Sequence, residues 1–203
     1  MRDNIQFALF FTDGTIYNPT KISAKLIEKF PEIGDPILLP INTEAPKEAN
    51  IPFIIFNQNL SFQIVSNFNN IVITVSDKFA ENIKEIIKNV FAIFEKDEVV
   101  FNRIGYVPSL FKNDEQKKEF KNEYMNSEIF DDTVEFQFSW LKKMQLGEVE
   151  LNCWERNITD SVNFEGLLKC FDFNTIKGQD LVVDEKFANK FIDFCNNYIE
   201  ERK

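Results

Sequence analysis

The chain has 203 residues, 44% of them hydrophobic, a formal net charge of −10 and no histidine. That is enough apolar material for one globular core or two small ones. The negative field disfavours phosphate backbones and anionic membranes, and the lack of histidine removes Ser-His and Cys-His nucleophile pairs, histidine metal sites and the usual general base near neutral pH.

Residues 5–12, IQFALFFT, read as a buried strand closed by the Asp13-Gly14 turn. Asn18 caps a helix with Pro19 at its first position, and Ile22, Leu26, Ile27 and Phe30 share one of its faces. Four prolines, Pro36, Pro40, Pro46 and Pro52, make the next segment an extended surface connection. Three strands follow: PFIIFN, then LSFQIVS with Leu60, Phe62 and Ile64 alternating against Ser61, Gln63 and Val65, then NIVITVS. Ser76 or Asp77 starts one long helix with Phe79, Ile83, Ile86, Ile87, Val90 and Phe94 on its apolar face.

The same order then repeats. EVVFNRIGYVPSLF reads as a strand ending near Pro108, and Asn113 caps a charged helix. TVEFQFSWLKK, EVELNCWERN and GLLKCFDFNT read as three strands, and Asp184 caps a closing helix. Lys78-Phe79-Ala80 and Lys186-Phe187-Ala188 open the two equivalent helices. The expectation is an α+β protein of two tandem related βαβββα units, residues 1–97 and 98–203, with mainly antiparallel sheets and helices packed on one face.

Several segments resemble a sporadically distributed family of uncharacterised prokaryotic proteins associated with mobile elements and defence loci. They are YNPTKISAKLIEKFPE, ILLPINTEAPKEANIPFIIF, VVFNRIGYVPSLF and CFDFNT. The resemblance implies a duplicated α+β fold and a link to phage or defence biology, but no activity.

No GxxxxGK[ST] or GxGxxG loop follows a strand, and six glycines leave little material for a phosphate cradle. The three cysteines, Cys153, Cys170 and Cys195, are too far apart for a zinc knuckle or redox pair and read as reduced fillers. No catalytic residue, metal site or cofactor is expected. No stretch approaches the roughly 20 apolar residues of a membrane span, and the N-terminus lacks a cleavage site, so a cytoplasmic protein is expected.

The most informative surface is the polar side of the second sheet. Glu148 and Glu150 share it with Asn152, Trp154 and Arg156, while Glu135 and Gln137 lie on the neighbouring strand. Trp and Arg are the residue types of binding hot spots, and acids steer a basic partner. The expected function is non-catalytic protein binding: a phage or mobile-element inhibitor of a host defence factor, anti-CRISPR-like, acting through an acidic surface. Two alternatives stand beside it. One is an enzyme or small-ligand sensor with a carboxylate-lined pocket between the halves, drawing on Asp131, Asp132, Asp172 and Tyr106; the other is an antitoxin or immunity protein.

Overall fold

The computed structural model describes residues 4–46, 49–125, 135–160 and 164–202. Among these residues the strands are β1 (Asn4–Phe11), β2 (Ile37–Leu38), β3 (Phe53–Phe56), β4 (Phe62–Ser66), β5 (Asn70–Ser76), β6 (Phe101–Lys112), β7 (Gln137–Leu146), β8 (Val149–Asp160) and β9 (Phe164–Thr175). The helices are α1 (Pro19–Lys29), α2 (Asp77–Glu81), α3 (Ile83–Glu95), α4 (Asp114–Tyr124) and α5 (Glu185–Glu200). All nine strands form one antiparallel sheet in the order β2-β3-β4-β5-β1-β6-β9-β8-β7. β1 and β6 join its two sides, from Asn4↔Ser109 to Phe10↔Arg103.

Local chemistry starts the helices. Asn18 accepts from the Lys21 amide with Pro19 behind it, Asp184 accepts from Phe187, and Asn113 and Gln116 form a reciprocal capping box. The expected single helix after Ser76 is broken at Asn82. The amide of Asn82 bonds Phe79 and its side chain bonds the Lys78 carbonyl, a local competition with helix bonding that asparagine favours.

The helices lie on one side of the sheet. On that side β1 presents Ile5, Phe7, Leu9 and Phe11, β4 Phe62 and Ile64, β5 Ile71, Ile73 and Val75, and β9 Phe171 and Phe173, all buried. Phe30 and Phe79 meet Phe62, Phe94 meets Phe11 and Phe101, and Tyr198 stands edge-on to Phe171 and Phe173. Phe120 and Tyr124 of α4 reach the same side, against Phe138 and Trp140. Full burial of one such ring contributes roughly 1.5–3 kcal/mol.

This layer is not wholly apolar. Glu155, 3% exposed, takes Lys169 Nζ at 2.9 Å and Arg202 at 3.7 Å, while Lys169 and Arg202 also lie over the rings of Phe171 and Tyr198. A buried carboxylate is costly unless cations pair with it, and here the rings hold those cations in place.

Three local expectations are corrected. Leu60 is exposed in a turn at φ 57°, so the β4 alternation starts at Phe62. β6 does not end near Pro108; it runs to Lys112, and the missing N–H falls where the β6–β9 pairing lapses between Tyr106↔Phe173 and Ser109↔Cys170. Glu148 lies outside the strand, in the two-residue Gly147-Glu148 turn of the β7–β8 hairpin, where Gly147 takes φ +66°.

The α1 helix is tied to the end of α3 by Asp97, which receives both Lys21 and Lys25. These two hydrogen bonds hold its carboxyl below the usual aspartate range. A depressed pKa stabilises the fold above the unfolded-state value, and that contribution fades as pH falls through the folded-state value. Asp97→Asn should therefore cost up to about 1 kcal/mol near neutral pH. Urea midpoints of the two proteins should converge as the buffer is taken towards pH 3, roughly the range in which carboxylates titrate.

Candidate interaction face

Paired residues of antiparallel neighbours project on the same side, so the register lays side chains in rows across the face away from the helices. One row runs Ile37, Ile54, Val65, Val72, Ala8, Gly105, Asn174, Asn152 and Lys143. A second holds Phe56, Gln63, Thr74, Gln6 and Val107 on one side, and Asp172, Trp154 and Leu141 on the other. A third runs Ser76, Asn4, Ser109, Cys170, Arg156 and Ser139. Apart from Gly105, which has no side chain, every one of these residues keeps solvent exposure.

The expected site residues fall largely on this face. Gln137, Glu150, Asn152, Trp154 and Arg156 share it, with Trp154 37% exposed between Leu141 and Asp172. Arg156 Nη2 donates to Asp172 Oδ2 at 3.1 Å, and Asn174 donates to the other oxygen at 3.2 Å. The Cys170 thiol sits 3.3 Å from the Ser109 hydroxyl. Arg156, Asp172, Cys170 and Ser109 line a hollow of about 190 Å³ with Gln6 and Val107. Glu135 is exposed just ahead of β7, and Glu148, in the hairpin turn, stands apart from the rows.

The residues considered for a pocket do not converge. Asp131 and Asp132 lie outside the described residues. Asp172 is on the uncovered face, engaged by Arg156, whereas Tyr106 is buried on the helix side, where its hydroxyl donates to Asn196 at 3.0 Å. The sheet separates them.

Sequence reasoning missed the half of the face built by β3, β4, β5 and β1. Ile54, Val65, Val72, Ala8 and Phe10 are apolar and uncovered there. The signal was present: these strands are apolar at both parities, which reads as burial on both sides. Arg103 was missed too; its guanidinium stacks 4.0 Å from the centre of the Phe10 ring.

The face is not the acidic surface of the molecule. Its rows carry Lys143 and Arg156 against Glu150 and Asp172, with Arg103 beside Phe10 in addition. Acids outnumber bases instead around a hollow of about 760 Å³ between the end of α3 and the start of α5, where Glu95, Glu98, Asp184 and Glu185, with one cation, Lys186, rim Phe91, Val99, Phe101 and Val183. Among the described residues, no helix is long and apolar enough to cross a membrane.

No family model matches the chain, and no curated protein matches its sequence.

An uncovered face should tolerate polarity that the covered face cannot. Val72→Thr is expected to shift stability by less than about 1 kcal/mol. Its neighbour Ile73→Thr, 0% exposed, buries a hydroxyl and opens a void, and should cost more than about 2 kcal/mol. Chemical denaturation of the two variants checks the contrast.

Proposed function

We propose that this chain is a non-catalytic protein-binding protein that recognises its partner through the uncovered face of the sheet. The observation carrying this reading is the apolar row Ile54, Val65, Val72 and Ala8, half-buried and with no helix over it on four adjacent strands; exposed Trp154 and Leu141 share the same face beyond β6 and β9. Contiguous exposed apolar surface rimmed by polar groups is characteristic of interaction sites. The aromatic anchor and two arginines supply the residue types that dominate interface energetics. The net charge of −10 favours a partner of opposite sign at long range.

The narrower reading, a phage or mobile-element inhibitor of a host defence factor, rests on the sequence resemblance. It belongs with binding and not catalysis, as does the antitoxin or immunity alternative. The acid-rimmed hollow between α3 and α5 favours a different reading, a sensor of a small cationic ligand.

We also infer that the fold is a duplication of a βαβββα unit meeting at β1 and β6. Supporting it are the strand order read outward from that pair, β5-β4-β3 on one side and β9-β8-β7 on the other, the asparagine caps of α1 and α4, and the packing of α3 against α5. On this reading the units are residues 1–97 and 98–203.

Site-specific photo-cross-linking in the source cells tests the binding reading. A cross-linking residue at Val72 or Leu141 should give a discrete protein adduct that one at exposed Lys118 on α4 does not, and Trp154→Ala with Glu150→Lys should reduce its yield. Adducts from Lys118 alone would place recognition on the helix side, and no adduct from any position would favour the small-ligand reading.

A further inference from the structure

We propose that Arg103 is a carboxylate-binding point on the uncovered face, and that the segment bound there is a stretch of a partner protein carrying an acidic residue close to apolar ones. This inference rests on the reading of that face as the recognition surface.

Arg103 differs from its nearest counterparts in the fold. Arg156 on the same face is held by Asp172, and Arg202 beneath the helices reaches Glu155. Arg103 has no ion pair or hydrogen bond among the described residues, and its buried Nε donor has no partner. Its guanidinium carbon lies over the Phe10 ring, 4.0 Å from the centre. Burial holds this guanidinium below the usual arginine range with no carboxylate nearby to offset it. A partly desolvated guanidinium whose terminal nitrogens meet no carboxylate of the described residues is a ready partner for a planar anion, because a carboxylate can accept their two N–H groups at once. The chain has only four arginines in all, so the type is not scattered over its surface as lysine is.

The surroundings select the source of the anion. A nucleic-acid strand needs a succession of cations, and the chain as a whole repels phosphates. Here Arg103 is followed two strands away by Glu150, which faces the same side and would oppose a second phosphate. A protein segment fits better. Val72 and Ala8 lead directly to Gly105, over which the Phe10 ring leans, coming within 4.0 Å of where a Cβ on Gly105 would stand. With strands about 4.8 Å apart and Arg103 two residues along β6 from Gly105, an apolar residue seated over Val72 places a carboxylate on the same segment about 12 Å away, over Arg103. The long-range field and this local contact act at different stages: net charge governs encounter, and a single charged pair sets register.

The test uses the intact chain and a displayed library of random peptides. Enriched peptides should pair an Asp or Glu with apolar residues. A synthetic representative should bind Arg103→Gln at least about tenfold more weakly than the natural protein, as expected for a lost charge-assisted hydrogen bond. Arg103→Lys should recover part of that loss, Val72→Lys should abolish binding, and the variants should keep the thermal midpoint of the natural protein. Binding lost in Val72→Lys but unchanged in Arg103→Gln, or enriched peptides without acids, overturns the role of Arg103 and leaves the face standing. No enriched peptide, or binding insensitive to both substitutions, overturns both. A single-stranded oligonucleotide that binds and is lost in Arg103→Gln would assign the site to phosphate, and a dimer abolished by Val72→Lys would assign the face to a second copy; either result contradicts the proposal.

Discussion

The structure depends on a geometric constraint: a sheet has two faces, and here the helices lie on one. Antiparallel strands can stand with one side in water because alternation separates the two environments along each strand. β4, β5 and β1 obey the period-two rule in burial, with each residue on the helix side enclosed and its neighbours left partly exposed. The aromatic side chains of Phe7, Phe62, Phe94, Phe101, Phe171 and Phe173 fill the single interior layer.

What departs from the rule is the chemistry of the uncovered side. Water-facing positions of a sheet are expected to be polar, and on β7, β8 and β9 they largely are, with Gln137, Ser139, Asn152 and Asn174 between the charged residues. On β3, β4, β5 and β1 they are Ile54, Val65, Val72 and Ala8. These half-buried side chains still leave apolar area in water that folding does not use, and recognition gives a physical reason for it. The sheet edges are blunted in different ways. β2 is two residues long, and β7 places Lys142 and Lys143 near its middle.

Much of this was legible in the sequence. Caps at Asn18, Asn113 and Asp184 are written in residue types that satisfy orphan helix amides, and the succession of strands and helices followed from periodicity and turn residues, apart from the two-residue β2 and the break at Asn82. The side of β8 carrying Glu150, Asn152, Trp154 and Arg156 also followed from the period of two. The failures have physical causes. Apolar residues at both parities of β1 signal burial on both faces, and only tertiary structure reveals that one face has no cover. Glu155 sits where alternation demands an apolar residue, and nothing local announces that Lys169 and the distant Arg202 converge on it. Pro108 reads as a strand end because its missing donor is a local property, whereas the lapse in pairing that accommodates it is a property of β9.

The cysteines provide the most direct measurement of one-sidedness. Cys170 lies on the uncovered face, whereas Cys153 on the sheet's helix side and Cys195 within α5 are buried, and burial pushes the Cys153 thiol up to about 12. With a thiol reagent under native conditions, Cys170 and an introduced Val72→Cys should be modified readily. Cys153, Cys195 and an introduced Ile73→Cys should react only on unfolding. Protection of Cys170 and Val72→Cys to the level of Ile73→Cys would mean that the second face is covered, and would contradict the account.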